Sequence, residues 1–342
     1  MTRPLVSIVI LSYNSRRYIE KCLDSVLRQD YPNIEILILI NGSDDGSAEI
    51  IKSRYSRIKK IRILEPGANL WFSQGNNYVF PHAKGEYIMA LNQDTILRSN
   101  FASLLVGAME TDVSLGSVTG KLLHYKFDID SETRILDSTG IEIFKTRRVI
   151  DRGQWEMDSG QYDRDTDIFG ASGAAAMYRK SALDQTRIPK TGGGGYEYFD
   201  EDFIAYKEDV DLAWRLRLAG YGCRYVPQAV IFHGRNVGRS WPTQFIRFIL
   251  NRRRQSREIR KLSFKNHYLM MVKNEVPAVF WRHFGYILTR EILLLLYTII
   301  FEQFQIFAAI DFFKQLPRAL QKRKYVMANV KISPHELRKL FH

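Results

Sequence analysis

Leu5 to Leu11 (LVSIVIL) is a run of β-branched and apolar residues, and Ser15 to Arg28 then sets Tyr18, Ile19, Cys22, Val26 and Leu27 at helical spacing. The pattern repeats. Ile34 to Ile40 (IEILILI) reads as a second buried strand, Asn41 to Ser47 as a polar turn, Glu49 to Arg57 as a helix, and Ile61 to Leu64 as a third, short strand. Strands apolar on both faces and separated by helices predict an α/β fold with a mostly parallel, Rossmann-like sheet covered by helices. In such sheets ligands bind beyond the carboxyl ends of the strands. That rule singles out Ser12 to Ser15, Asn41 to Ser47 and the cluster Asn92-Gln93-Asp94-Thr95, which follows the apolar run Tyr87 to Leu91.

Val113 to Ile168 shows no firm periodicity, only strand-like pieces at Arg134 to Leu136 and Ile141 to Phe144. Phe169 to Tyr178 (FGASGAAAMY) is rich in small residues and suits close backbone packing near a ligand or a neighbouring element. Gly192 to Gly195 reads as a mobile loop. Lys207 to Leu218 predicts a helix ending at Gly220 as its C-cap, with Glu208, Asp209 and Asp211 in its first turn, where the helix dipole favours carboxylates. Tyr225 to Phe232 is a strand-like run that ends at His233.

From Trp241 onward the pattern becomes helical and amphipathic, with a basic stretch from Arg252 to Lys261 and a Leu-, Ile- and Phe-rich segment from Leu293 to Phe313. This predicts two regions, one catalytic domain over 1–240 and an appended helical segment over 241–342. Charge divides at the same place. Residues 1–240 carry 31 Lys and Arg against 31 Asp and Glu, whereas 241–342 carry 19 against 6, so the net +13 lies wholly in the second region. A tail that is both basic and apolar suits an anionic membrane surface better than nucleic acid. A helical subdomain or a homodimer interface is the alternative. No uninterrupted apolar run reaches the roughly 18 residues expected of a spanning helix, the nearest being Ile292 to Phe301, closed by Glu302. With only Cys22 and Cys223, far apart, and no signal-peptide pattern at the start, the expectation is a cytoplasmic protein with buried thiols, peripheral at the inner face of the membrane.

Three sequence positions carry chemistry. Asp94, at the end of a strand, could hold a hard divalent cation, Mg2+ or Mn2+. Asp209, within KEDVDL, is a candidate general base, because three acids in four positions repel one another unless a ligand or cation offsets them. His233 also ends a strand and is a candidate metal ligand. A dinucleotide-dependent dehydrogenase would need a Gly-rich turn after the first strand, where this chain has Ser12-Tyr13-Asn14-Ser15.

The ordered blocks VSIVILSYN (6–14), NGSDDGS (41–47), NLWFSQGNN (69–77), GEYIMALNQDT (85–95), GYEYFDEDFIAYKEDVDLAWRLRLAGY (195–221) and YVPQAVIFH (225–233) resemble the GT-A-fold family 2 glycosyltransferases, in particular their bacterial rhamnosyltransferase-like branch. The resemblance covers roughly residues 5–240 and implies an inverting, metal-dependent transfer. Asp94 would be the metal carboxylate, His233 would assist metal or diphosphate, and Asp209 would be the base supported by Glu208. Ser12, Tyr13, Asn14, Asn41, Asn76, Asn92, Gln93 and Arg215 would serve the donor, and Arg215 would pair either with Asp211 or with the diphosphate. The implied donor is dTDP-L-rhamnose or a UDP-sugar, and the implied acceptor is a saccharide, carried on polyprenyl diphosphate. Three positions depart from the pattern: Asn92 replaces the motif's first Asp, Ile40 replaces an Asp that recognises the base, and Trp71 replaces a Gly.

Overall fold

The structure, a computed structural model, describes residues 3–234 and 255–342. The segment Arg252 to Arg254 and the predicted boundary at residue 240 lie outside the described residues. The first half alternates as its hydrophobic pattern requires: β1 (Val6–Ser12), α1 (Ile19–Leu27), β2 (Ile34–Ile40), α2 (Ser47–Tyr55), β3 (Ile61–Leu64), α3 (Trp71–Val79) and β4 (Tyr87–Asn92). There follow β5 (Thr95–Leu97), α4 (Phe101–Thr111), β6 (Leu115–Lys126), β7 (Ser131–Ser138), β8 (Ile141–Ile143), β9 (Val149–Asp151), β10 (Ala175–Arg179) and α5 (Lys180–Thr186). After β11 (Ile188–Pro189) and β12 (Tyr196–Glu197) come α6 (Glu208–Leu218) and β13 (Gly222–His233). The chain closes with α7 (Arg257–Asn274), α8 (Pro277–Phe301), α9 (Gln305–Ala328) and α10 (Pro334–Lys339).

Nine strands form one sheet, in the order β3-β2-β1-β4-β10-β6-β13-β5, with β7 pairing β6. β1, β2, β3 and β4 are parallel, as are β6 and β13, but β10 runs antiparallel to both β4 and β6. Six of the nine strands, β1, β2, β3, β4, β6 and β13, therefore run in one direction, as expected of a mostly parallel sheet, and β5, β7 and β10 oppose them. The unassigned stretch from Val113 to Ile168 proves to hold β6 and its antiparallel partner β7, two register shifts apart. Their buried faces mix apolar and polar side chains, which explains why no clean period appears in the sequence. Valine, isoleucine and leucine of β1 and β2 are buried on both faces, packed between α1, α2 and α4 on one side and α3 and α6 on the other.

A third core joins Ile141, Phe169, Trp214 and Leu218 to Leu269, Met270, Val279, Ala319, Val326, Leu337 and Phe341 of the C-terminal helices. Residues beyond α10 return to β8, where the His342 amide donates to the Ile143 carbonyl, and Lys331 and Ile332 both donate to the Leu218 carbonyl at the end of α6. Gly220, at φ 87°, ends α6 in the left-handed conformation expected of a C-cap glycine.

The expectation that no helix could span a membrane is overturned on length and composition. α8 has 25 residues and an 18-residue window of mean hydropathy 1.7, of which 11% is buried. Arg290 and Glu291 interrupt the apolar run in the sequence, but in the helix they face the protein: Arg290 bonds Glu291 and lies 3.1 Å from His267 Nε2, and Tyr268 donates to Glu291.

Candidate active site

The chain runs β1 to β2 to β3 in one direction along the sheet and then returns to place β4 on the other side of β1. In α/β sheets the ligand crevice lies where the order reverses, which here is between the carboxyl ends of β1 and β4. The Gln93 side chain bridges it, accepting from the Tyr13 amide at 2.6 Å and donating to the Tyr13 carbonyl at 2.8 Å. Asn14, in a left-handed conformation at φ 47°, donates its amide to Ser43 Oγ and accepts the Asp44 amide, each at 3.1 Å. The loops after β1 and β2 are thereby fixed to each other.

Behind these loops the polar residues face inward. Ser12 Oγ is 2.7 Å from Ser15 Oγ, and Asn41 Oδ1 accepts the Leu70 amide at 2.7 Å. Asn76 is buried and donates to the Phe72 carbonyl at 2.9 Å. Ser12 and Asn41 therefore tie the loops, Asn76 bonds back within α3, and Tyr13 and Asn14 are the exposed members. Arg215 is a correction to the sequence reading as a donor ligand. It is buried, and its guanidinium is consumed by Asp211 Oδ2 at 3.0 Å and by the Thr186 and Tyr198 carbonyls at 2.5 Å each. Of the two partners expected for it, the Asp211 pairing is the one formed.

At the edge of the crevice His233 stands between two carboxylates. Its Nε2 is 3.3 Å from Asp94 Oδ1 and 3.4 Å from Asn92 Nδ2, and its Nδ1 is 2.7 Å from Asp137 Oδ2. Burial alone would lower the imidazole pKa, but Asp94 and Asp137 push it up to about 10. The Asp94 carboxyl, which burial would raise, is held below its ordinary range by the His233 charge. The residues fit a divalent cation. Two neighbouring ligands of one octahedral ion with bonds of about 2.1 Å lie about 3 Å apart, close to the Asp94 to His233 separation. No group of three or more His, Cys, Asp or Glu side chains is arranged for a metal among the described residues. Protein donors alone would leave most of the coordination shell to water and to phosphate oxygens.

Asp209 opens α6 and accepts the Gly173 amide at 3.1 Å through Oδ2 and the Val210 amide at 2.8 Å through Oδ1. A Cβ on Gly173 would stand 3.3 Å from both Cβ and Oδ2 of Asp209, so the small-residue stretch before β10 is what lets the carboxylate approach. One residue further, the Ala174 carbonyl accepts the Asn92 amide at 2.9 Å. The path Asp209, Gly173, Ala174, Asn92, His233, Asp94 is thus continuous through contacts at one edge of the sheet. Burial, then the Asp151 charge, raises the Asp209 pKa. Burial, then Asp209, pushes Glu208 up to about 8, and Glu208 Oε2 is buried without a hydrogen-bond partner.

Sequence reasoning missed the groups that hold the Asp209 carboxylate in place. Ile204, Tyr206 and Lys207, directly before it, all have positive φ, between 64° and 75°, at a cost of about 1–3 kcal/mol each. Asn266 of α7 holds them by donating Nδ2 to the carbonyls of Phe203, Ala205 and Tyr206 at 2.8–2.9 Å. Below the loop, Lys273 of α7 bonds Asp200 and lies 2.8 Å from Asp211, while Lys322 of α9 reaches Glu197 at 2.7 Å, Asp200 at 2.6 Å and Asp202 at 3.0 Å. Asp137 was missed too. The only signal on offer was an acid directly after the apolar pair Ile135-Leu136 in an otherwise polar strand.

The model of the family described as "Glycosyl transferase family 2" matches residues 7–187, more than half of the chain. Curated relatives include the glycosyltransferase GlyG of Streptococcus pneumoniae, 28% identical over 46% of this chain and 54% of its own length. Another is the poly-beta-1,6-N-acetyl-D-glucosamine synthase of Staphylococcus epidermidis, 27% identical over 66% of this chain and 48% of its own. The chain spans about half the length of these relatives. Among solved structures, the mannosyltransferase PcManGT from Pyrobaculum calidifontis, in complex with GDP-Man and Mn2+, has a TM-score of 0.52 at 16% identity, over 98% of this chain and 79% of that one. S. aureus TarS 1-349 in complex with UDP has 0.54 at 13%, over 98% and 90%. These likenesses place the fold among GT-A-like enzymes, and with the family match over the sheet that carries Asp94, the chain belongs to glycosyl transferase family 2.

Proposed function

We propose that the protein transfers a sugar from a nucleoside diphosphate sugar to an acceptor hydroxyl with inversion at the anomeric carbon. Asp209 takes the proton of the acceptor hydroxyl, whose oxygen forms the new bond to the anomeric carbon. The bond from that carbon to the diphosphate breaks on the opposite face, and the nucleoside diphosphate leaves with the electron pair. Asp94 and His233 would hold Mg2+ or Mn2+, which supplies positive charge for the departing diphosphate. Tyr13 and Asn14 orient the donor from the reversal point of the sheet, and Gln93 fixes their loop. The contact path from Asp209 through Gly173 and Asn92 to Asp94 is the observation that supports the reading, because it links the candidate base to the candidate metal carboxylate. Its raised pKa suits Asp209 to the work of a base.

The donor is dTDP-L-rhamnose in this proposal, supported by the ordered sequence blocks, and the acceptor is a saccharide on polyprenyl diphosphate. Buried Ile40 cannot hydrogen-bond a base, so the competing donors are the UDP-sugars. A thermal-shift screen of dTDP- and UDP-sugars with and without Mn2+ decides: stabilisation by dTDP-rhamnose alone supports the assignment, and stabilisation by a UDP-sugar alone replaces it. Asp209→Asn lowers transfer by about 10²–10⁴-fold with donor affinity kept. Undiminished turnover would show that the base is another group.

A further inference from the structure

α8 and the start of α9 present a face that the described protein leaves bare. On α8, Ile292, Leu293, Leu295, Leu296, Ile299 and Ile300 are each half or more exposed, and at 100° per residue they cover roughly 160° of the helix surface. Ile306, Phe307, Ile310 and Phe313 continue the face around the corner into α9. Exposed Trp281 and Tyr286 lie near the start of α8. The opposite side of α8 is committed to the protein through buried Val279, His283, Ile287 and Tyr297 and through the Arg290 and Glu291 contacts with α7.

We propose that this face docks flat on an anionic lipid leaflet, an inference that rests on the lipid-linked acceptor proposed above. Charge selects the occupant. Among the described residues 255–342, once buried Lys265, Lys273, Lys322, Glu275 and Glu302 are set aside, 12 Lys and Arg stand against 4 Asp and Glu, so a second copy placed face to face would bring two surfaces of the same sign together, whereas anionic headgroups complement them. Cations stand at the border of the apolar face. Arg257 and Arg260 lie 5.7 and 4.7 Å from the Phe304 ring centre, and Lys261 lies 5.7 Å from that of Phe307. Arg260 is further paired with Glu302 and Lys261 with Glu258, which leaves Arg257 and the shared positive field to meet phosphates. Amphipathic helices of this kind settle with their apolar face at the boundary of headgroups and acyl chains, where Trp and Tyr are also favoured. Because one side of α8 is bonded to α7, the helix lies on the leaflet and does not cross it.

The test is co-sedimentation of the full chain with vesicles of phosphatidylcholine alone or mixed with phosphatidylglycerol, at low and high salt. Nucleotide binding with Mn2+ is followed in the same samples by thermal shift. The docking predicts binding to the mixed vesicles that salt weakens, and a loss of about tenfold or more in Leu296→Asp/Ile300→Asp, whose sites are exposed and outside the core. Arg257→Gln reduces the preference for anionic vesicles by about fivefold. Equal vesicle binding by the double variant overturns the proposal, as does a dimer in sedimentation velocity that Ile300→Asp dissociates. Nucleotide binding is untouched by these substitutions if both readings hold. Vesicle binding with no nucleotide binding in the unsubstituted chain supports the docking while refuting the transferase reading.

Discussion

Replacing Glu208 by Gln isolates one buried charge beside the base. Glu208 is 8% exposed, and burial, then the Asp209 carboxylate, push its pKa from 4.5 up to about 8. Between those values the folded protein holds a proton that the unfolded chain has released. The stability tied to this group is therefore complete below the unfolded pKa and drains away as the pH rises towards the folded one. At about 1.4 kcal/mol per unit, the loss from about pH 5 to about pH 7 is on the order of 2 kcal/mol. Glutamine has the same shape and does not titrate, so the difference in stability between the two proteins changes by that amount over the interval. Urea denaturation in a series of buffers measures it, and the subtraction cancels the titrating groups that do not interact with Glu208. Two curves that run parallel would refute the reasoning, because the carboxyl would then titrate alike in the folded and unfolded chains.

Lys273→Met removes the cation between Asp200 and Asp211 at a site with no solvent access. It should destabilise the protein by about 3–5 kcal/mol in denaturant unfolding, and a loss within experimental error would mean that Lys322 alone suffices. Asp137→Asn weakens the charge that orients His233 from its Nδ1 side. Mn2+ affinity measured by calorimetry with nucleoside diphosphate present should fall about 10–100-fold, and an unchanged affinity would remove Asp137 from the site.

The strands that build the reversal point were readable because each is a short apolar run buried on both faces. Ile34 to Ile40 coincides with β2, Tyr87 to Leu91 stops one residue short of the end of β4, and Leu5 to Leu11 is β1 displaced by one residue. α6 was readable for a different reason: Gly220 stops it, and its acidic first turn marks its start. Asp94, Asp209 and His233 stood out as candidates because each sits at the end of such an element. What could not be read is non-local. Asp137 meets His233 across 96 positions, and Lys322 meets Asp200 across 122, separations to which no helical or strand period is sensitive. Lys265, Lys273 and Lys322 also misled by type, since lysines on amphipathic helices ordinarily face water, whereas these three are buried against carboxylates and carbonyls of the 197–211 stretch. The change of composition near residue 240 is a change of surface, and the hydrophobic core runs across it.

The lysine ties from α7 and α9 also impose an order in time. A ribosome finishes the sheet, the Asp94 strand end and the His233 strand end well before it makes Lys322, yet until then the acids at 197, 200 and 202 lack their main counter-charge. A nascent chain halted after β13 would hold a nearly complete nucleotide crevice beside an unassembled proton acceptor. Catalytic competence would then arrive late in synthesis, only once the last long helix has folded back onto the loop.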